Sequence, residues 1–249
     1  FMDKNGYKTT NFNQLYSEES KTKSFIITFD DGYEDVFINA LPILKRYNFS
    51  SICFFVTDYI GKYNIWEDGR KNFTKLKLMD IEKVKIWHKT NMLVGSHTLS
   101  HKNLKNLNQK EKLAQIIGPK IFFYKNMFIN IDTFSYPFGL FDEDSIDIVK
   151  ENYKYAVTTK RSRFVTNKFD KSEIPRIPIN KTDNMFKFFL KIKTIYEDIK
   201  YKSWFILMFN KNYSKTKCPY GCILFNDDSN YHYWENKKET SDEINILKY

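Results

Sequence analysis

The sequence is poor in cysteine, glycine and proline, with 3, 8 and 6 of these residues among 249. A small, odd number of cysteines does not support a disulfide framework, so we expect a protein of a reducing compartment. The low glycine and proline content excludes a low-complexity chain. A hydrophobic content of 42% is ample for the core of one large domain or two small ones.

Long apolar runs are also missing. The longest uncharged one, residues 204–209, is far too short to span a bilayer, and residues 1–23 lack the apolar segment of a secretory signal. We therefore expect a cytoplasmic protein. The formal net charge of +10 predicts an acidic partner such as a membrane surface, a nucleic acid or an anionic substrate. The alternative is that the many lysines keep an aromatic-rich chain soluble.

The most informative stretch is residues 24–32, Ser-Phe-Ile-Ile-Thr-Phe-Asp-Asp-Gly. Its bulky apolar run, interrupted only by Thr28, is typical of a buried strand. The run ends on Asp30 and Asp31, followed by Gly32. Because the chain turns at the end of a strand, both carboxylates can point into one cleft, where each needs a cation, a proton or another partner.

Helix-like and strand-like segments alternate along the chain. Helical spacing occurs in residues 33–47, 76–88, 107–128 and 142–151, and further strand-like segments are residues 51–56, 92–95, 131–136 and 155–158. This alternation predicts an α/β fold on a parallel sheet. Pro42 predicts a kink or a new helical turn, and Gly118-Pro119 should break or bend its helix. The polar loop over residues 57–74, which contains Trp66, is long enough to shape a substrate cleft.

Two histidines, His97 and His101, follow the strand predicted at residues 92–95. On one helical turn, their spacing places both rings on one side, as in histidine pairs that chelate a metal. One strand-end carboxylate completes a three-ligand set, which leaves coordination positions open for water, as a catalytic metal requires. Such a metal acidifies water and polarises a carbonyl, while the other carboxylate can act as general base.

Three motifs together resemble those of the polysaccharide deacetylases, the NodB-homology or carbohydrate esterase family 4 proteins. They are Thr-Phe-Asp-Asp-Gly at 28–32, His-Thr-Leu-Ser-His at 97–101 and Ser-Tyr-Pro-Phe-Gly at 135–139, and their order and approximate spacing also match. The resemblance covers roughly residues 24–180. It implies an irregular (β/α) barrel of the NodB-homology type, with the site at the carboxyl ends of the strands.

The resemblance also implies roles for individual residues. Asp30 resembles the general base, and the metal ligands implied are Asp31, His97 and His101. Tyr136 falls where the family uses a backbone N–H to hold the oxyanion, a task that needs no particular side chain. Three further residues are expected to contact substrate, namely Trp66, Pro137 and Phe138.

The chain departs from the family pattern in its third and late motifs. Many members begin the third motif with an arginine that pairs with the catalytic aspartate, and here Ser135 stands there. No late motif supplies a histidine as general acid, and His232 lies in an unrelated context. Pro175-Arg176-Ile177-Pro178 resembles an arginine-containing segment of a subgroup that acts on surface and biofilm polysaccharides. Arg176 can therefore orient Asp30; a surface arginine beside two prolines is the alternative.

These observations predict a metal-dependent deacetylase, a hydrolase of linear amide C–N bonds, that removes N-acetyl groups from a sugar or surface polysaccharide. Zinc suits one carboxylate and two imidazoles, and cobalt, nickel or iron would also fit. The predicted partner is an N-acetylated carbohydrate, and no nucleic acid is expected. The alternatives left open are hydrolysis of another non-peptide amide and a non-catalytic carbohydrate-binding relic of the same fold.

Three regions are predicted: a polar surface segment at residues 1–23, a deacetylase core at 24–180 and a C-terminal extension at 181–249. Residues 181–217 hold nine lysines and three acids, with apolar residues at helical spacing, which predicts a basic amphipathic helix. Such a helix can lie on an anionic membrane as a peripheral contact, or its apolar face can cover the barrel. The polar tail after residue 220 and the oligomeric state are not predicted.

Overall fold

The computed structural model describes residues 1–17, 23–69, 73–162, 169–194, 196 and, by their backbone, 222–226. In this part of the chain one sheet has the strand order β6-β5-β4-β3-β2-β8-β7, and β1 pairs with β2 beside that path. The strands are β1 Lys8–Thr9, β2 Ser24–Phe29, β3 Ser51–Phe55, β4 Leu93–Ser96, β5 Thr133–Ser135, β6 Tyr155–Val157, β7 Ile177–Pro178 and β8 Cys222–Asn226. Strands β1 to β6 pair in parallel, whereas β8 is antiparallel to both β2 and β7.

Helices connect the strands of this curled sheet, and the predicted irregular (β/α) barrel is confirmed. The described helices are α1 Phe12–Leu15, α2 Leu41–Arg46, α3 Ile81–Lys89, α4 Gln109–Met127, α5 Glu143–Asn152 and α6 Met185–Lys193. None of them combines the length and the apolarity that a membrane crossing requires. Because the strands are parallel, the carboxyl ends of β2, β4 and β5 meet at one end of the barrel, and each of the three motifs continues from one of them.

Two helix boundaries follow from local chemistry. The kink predicted at Pro42 is confirmed, since a π-helical turn at Val36–Ala40 gives way there to α2, with the proline in its first turn. Helix α3 begins later than predicted, because Asp80 caps it by accepting a hydrogen bond from the Lys83 N–H at 2.9 Å. The residues before it are extended instead, and Leu78 forms an isolated bridge with Tyr33.

Helix α4 runs unbroken past Gly118-Pro119, so of the break or bend predicted there the break is wrong. The glycine instead makes room for a neighbour, because a Cβ at position 118 would lie 2.6 Å from the Leu99 side chain. Leu99 belongs to the His-Thr-Leu-Ser-His motif. The small residue therefore lets that loop lie directly against the helix.

Residues 1–17 contribute buried side chains to the core, which corrects the prediction of a purely polar surface segment. Tyr7, Phe12 and Leu15 are buried, and the Phe12 ring stacks on Tyr155 at 5.2 Å between centroids. Strand β1 adds to the sheet in parallel with β2. These apolar residues are too few and too irregularly spaced to produce a periodic signal, which explains why sequence reasoning overlooked them.

The C-terminal extension is described in two pieces. In α6, Ile192 is buried in a cluster with Phe25 and Ile177. Lys191 is also buried, donating to an Asp183 carboxylate oxygen and to the Pro178 carbonyl oxygen, both at 2.6 Å. This packing agrees with the alternative in which the apolar face of the helix covers the barrel.

The second piece is β8, which comes from the tail for which no structure was predicted. It inserts between β2 and β7, and Ile223 is in register with both Ile27 and Ile177. Residues 195 and 197–217 of the predicted basic segment, which include residues 204–209, lie outside the described residues, as does His232.

Candidate active site

The two adjacent carboxylates lie at the end of β2, where the backbone reverses. Asp30 and Asp31 are both buried, and Asp31 has a left-handed backbone with φ 70°. Gly32 follows with φ 80°, and a Cβ there would collide with the Phe55 ring. Only glycine meets both conditions at low cost, which explains the Asp-Asp-Gly sequence. The turn directs both carboxylates toward the end of the barrel where the histidines lie.

The histidine motif is a loop rather than the helical turn that was assumed from its spacing. Thr98 and His101 both have left-handed backbones, with φ 66° and 57°. The His101 N–H donates to Thr98 Oγ1 at 3.0 Å, and Gln115 of α4 exchanges two hydrogen bonds with Ser100 at 2.8 and 3.0 Å. The two rings do come together, but this loop geometry brings them there.

Three side-chain atoms converge at the centre of the site. His97 Nε2 and His101 Nε2 lie 3.2 Å apart, and each is 3.3 Å from Asp31 Oδ1. In a tetrahedral zinc site with bonds of about 2.0–2.1 Å, neighbouring ligand atoms lie about 3.3–3.4 Å apart. The buried triangle therefore fits a metal ion bound on one face.

The tautomer of His97 supports the same fit. His97 Nδ1 lies 2.7 Å from the Ser135 carbonyl oxygen, which can only accept a hydrogen bond. Nδ1 must therefore carry the proton, and in the neutral ring this leaves the lone pair of Nε2 pointing at His101 and Asp31. A carbonyl oxygen that orients a histidine in this way is a common outer partner of metal sites.

Arg176 is buried and directed at Asp30, so the alternative of a surface arginine is excluded. Its Nη1 and Nη2 donate to the two Asp30 carboxylate oxygens, each at 2.8 Å. The remaining donors reach the Thr158 carbonyl oxygen at 3.0 Å, Thr28 Oγ1 at 3.1 Å and Ser135 Oγ at 3.2 Å. A bidentate pair of this kind fixes the plane of the carboxylate as well as its charge.

The charge state of Asp30 follows from two opposing effects. Burial raises the pKa of the Asp30 carboxyl, but the charge and hydrogen bonds of Arg176 outweigh burial and hold the pKa below its usual value. A carboxylate has about four lone-pair positions. Arg176 takes two of them and Ser135 Oγ, at 3.3 Å, takes a third. Asp30 is therefore an anion with acceptor capacity remaining.

The Tyr136 backbone N–H forms a hydrogen bond within the sheet, and the oxyanion role predicted for it stays a prediction. It donates to the Val157 carbonyl oxygen at 3.3 Å, because β5 and β6 continue their parallel pairing there. The side chain is buried against Phe134 and Phe141, and burial raises the pKa of its hydroxyl. Tyr136 is thus a core residue at the edge of the site.

Two of the three residues predicted to contact substrate, Trp66 and Phe138, pack against His101. Pro137 is buried and starts a short turn, Pro137–Gly139. The Trp66 ring stacks on the His101 ring at 4.8 Å and 28°, and the Phe138 ring meets it edge-on at 4.4 Å. Trp66 and Phe138 remain half-buried, so both can also touch a bound molecule.

Sequence reasoning missed two residues that support the site. The Thr28 hydroxyl oxygen accepts a hydrogen bond from the Arg176 guanidinium. Its position as the one polar side chain in the apolar run of β2 could have indicated this role. Gln115 ties the histidine loop to α4, and only its buried position in the helix distinguishes it. His88 lies exposed on α3 and takes no part.

The fold is a curled (β/α) barrel, and the site at the carboxyl ends of its strands contains a buried Asp31, His97 and His101 set that is able to hold a metal ion. A family model described as polysaccharide deacetylase matches residues 17–157, more than half of the chain. The chain belongs to the polysaccharide deacetylase family.

Individual relatives agree with this assignment. A poly-β-1,6-N-acetyl-D-glucosamine N-deacetylase of Staphylococcus aureus is 28% identical over 182 residues, which cover 68% of this chain and 58% of that protein. The chain thus spans less than two thirds of the length of this curated relative.

Solved structures show the same fold. The Streptococcus pyogenes deacetylase PplD in complex with acetate has a TM-score of 0.64 at 21% identity, over 76% of this chain and 81% of that one. A polysaccharide deacetylase from Bacillus cereus has a TM-score of 0.63 at 21% identity, over 75% of this chain and 57% of that one.

Proposed function

We propose that this protein is a metal-dependent deacetylase that hydrolyses N-acetyl groups of a surface polysaccharide or a related sugar. The observation that carries the proposal is the buried triangle of Asp31, His97 and His101 beside a carboxylate held by Arg176. One group of residues is suited to hold a metal, and its neighbour Asp30 is suited to accept a proton. Together the two functions can activate water for attack on an unactivated amide.

The residues divide the reaction between them. Asp31 Oδ1 and the two Nε2 atoms would hold the ion, which supplies a Lewis acid and an acidified water. Asp30 takes a proton from the attacking water, and Arg176 keeps the carboxylate facing it. The protonated Asp30 carboxyl can then pass this proton to the leaving amine. Acetate and a free amino sugar result.

The nature of the metal and of the substrate are parts of the proposal. Zinc is our first assignment, since the ligand set and the separations between its atoms suit a tetrahedral site, and cobalt, nickel or iron would accept the same donors. The Staphylococcus aureus relative is a deacetylase of poly-β-1,6-N-acetyl-D-glucosamine. We therefore propose an N-acetylated glycan as substrate class.

The test of the proposed function joins metal content to hydrolysis. Purified protein should contain about one metal ion per chain and release acetate from poly-N-acetylglucosamine or chitooligosaccharides. His97→Ala should lose most of the metal and the activity, because it removes one of three protein ligands. His88→Ala, at an exposed histidine on α3, is the matched control and should keep both.

Two outcomes would count against the proposed deacetylation of an N-acetylated glycan. Stoichiometric metal without release of acetate from any N-acetylated glycan would favour a carbohydrate-binding relic. Release of another product from a non-carbohydrate amide would move the reaction to a different substrate on the same scaffold.

Membrane contact through the C-terminal extension is a separate proposal. On α6, Met185, Phe186 and Phe189 are exposed, and Lys187 is partly exposed beside them. The Asp183 carboxylate beside this helix is buried and pairs with both Lys187 and Lys191. An exposed apolar face with excess positive charge suits an anionic lipid surface. The cytoplasmic location stays a prediction.

We expect salt-sensitive co-sedimentation with phosphatidylglycerol vesicles but not with neutral phosphatidylcholine vesicles. Phe186→Ser should weaken binding because it removes apolar area from the membrane contact. Lys187→Glu should weaken it because each lysine near the membrane surface contributes on the order of 1 kcal/mol. Lys110→Glu, at an exposed position on α4, should change it less. Failure to bind anionic vesicles at low salt would end the membrane proposal and leave the deacetylase proposal untouched.

A further inference from the structure

The two histidines of the site are held in different ways. His97 is oriented by a hydrogen bond from its Nδ1 to the Ser135 carbonyl oxygen. The His101 ring contacts two aromatic side chains from distant parts of the chain. The indole of Trp66 stacks on one face of the imidazole, and the edge contact of Phe138 restricts it from a second direction.

These contacts restrict the rotation that matters for metal binding. His101 Nε2 points at Asp31 Oδ1 and His97 Nε2 in the observed ring orientation. Turning the imidazole about its own bond would disrupt the stacked contact with Trp66 and the T-shaped contact with Phe138. Stacked and edge-on aromatic pairs also have preferred separations, which adds attraction to the steric restraint.

Both aromatic residues are themselves well anchored. Trp66 packs against Tyr59 at 5.0 Å, on a short helical turn directly after Asn64. Asn64 is buried and accepts a hydrogen bond from the Leu76 N–H at 2.6 Å while donating to the Thr74 carbonyl oxygen at 3.1 Å. The loop that carries the tryptophan is therefore tied across its base, which a simple substrate-facing loop does not need.

Phe138 is held by its backbone. Its φ of 59° is rare for a residue that is not glycine, and Gly139 follows with φ 65°. Such a conformation persists where surrounding structure imposes it, and it is common at functional sites. Here it turns the phenyl ring toward His101.

We propose that Trp66 and Phe138 are positioning residues that present His101 to the metal. The sequence had assigned both to substrate contact. The inference rests on the proposed metal-binding role of His101. Changes to residues that orient a metal ligand typically weaken metal affinity by roughly 10–100-fold, and that is the size of effect we expect here.

The experiment measures zinc affinity of the full chain by competition with a chelator, without substrate. Trp66→Ala and Phe138→Leu should bind zinc roughly 10–100-fold more weakly, whereas Trp66→Phe should restore most of the affinity by keeping an aromatic face. Tyr63→Ala is the matched control, because Tyr63 is an exposed aromatic residue of the same loop. Its zinc affinity should match that of the unaltered protein.

A second readout separates positioning from general damage. With Co²⁺ in the site, Trp66→Ala should alter the visible absorption bands, which report ligand geometry, and Trp66→Phe should return them toward the original spectrum. Circular dichroism on the metal-free proteins checks that each variant is folded. Phe138→Leu, a conservative change in volume, serves as the test if Trp66→Ala does not fold.

The possible outcomes are distinct. If Trp66→Ala and Phe138→Leu bind zinc as tightly as the original protein and only raise KM, both residues are substrate contacts and the positioning role is wrong. If the unaltered protein binds no metal, the proposed function itself fails. Loss of affinity in both variants with rescue by Trp66→Phe supports the inference.

Discussion

Asp30→Asn is expected to slow acetate release roughly 10²–10⁴-fold while leaving zinc bound. The amide occupies nearly the same volume as the carboxylate but cannot take the proton from water. Because Asp31 and the two histidines form the triangle without Asp30, the metal should remain. Turnover of a glycan that the unaltered protein deacetylates, together with metal content of the same sample, measures both effects.

Asp31→Asn is the matched control for this prediction, since it makes the same chemical change at the adjacent residue. It removes the charge from a ligand atom and should mainly weaken zinc affinity. If Asp31→Asn kept its zinc while Asp30→Asn lost it, the assignment of base and ligand within the pair would be reversed.

Arg176→Met is expected to lower the free energy of unfolding by about 3–5 kcal/mol. The substitution leaves the Asp30 carboxylate buried without the guanidinium that now donates to both of its oxygens. Urea denaturation in the presence of a chelator measures the effect, because removing metal from both proteins removes its contribution to stability.

Two further proteins make this prediction specific. Arg46→Met, at an exposed arginine on α2, should change stability by no more than about 0.5 kcal/mol. The double variant Asp30→Asn with Arg176→Met should be less destabilised than Arg176→Met alone, because a neutral amide does not need a counter-charge. A loss below about 1 kcal/mol in Arg176→Met would contradict a buried charge pair.

The fold was predictable because its signals are local. Each apolar run of β2 to β6 and each helical spacing of α2 to α5 can be found in a short window, and the structure places the strands within a few residues of the predictions. Features that depend on a distant neighbour were missed. Gly118 reads as a helix breaker in isolation, and only its contact with Leu99 explains a glycine there.

The same distinction applies to the site: its local motifs were predicted, and its contacts with distant residues were not. The motifs correctly predicted that Asp31 and the two histidines lie close together. The histidines lie on a loop, however, and not on the helical turn that was assumed from their spacing. The hydrogen bond of the Tyr136 N–H depends on β6, and no local pattern shows that Val157 takes it. Arg176 and Asp30 are 146 residues apart in the sequence. The sequence therefore left open whether Arg176 is a surface arginine or orients Asp30, and only the three-dimensional structure shows that it pairs with Asp30.

The separation in sequence between Asp30 and Arg176 has a consequence for folding during synthesis on the ribosome. The amino-terminal strands leave the exit tunnel long before Arg176 is synthesised, since translation proceeds at roughly 5–20 residues per second. During that interval Asp30 and Asp31 are neighbouring anions whose burial is costly. Burial of the Asp30 carboxylate at the end of β2 is therefore favourable only after Arg176 has been synthesised. A polypeptide that ends between residue 157, where the family match ends, and residue 175 would contain most of the strands of the sheet. It would still lack the Arg176 guanidinium that pairs with the buried Asp30 carboxylate.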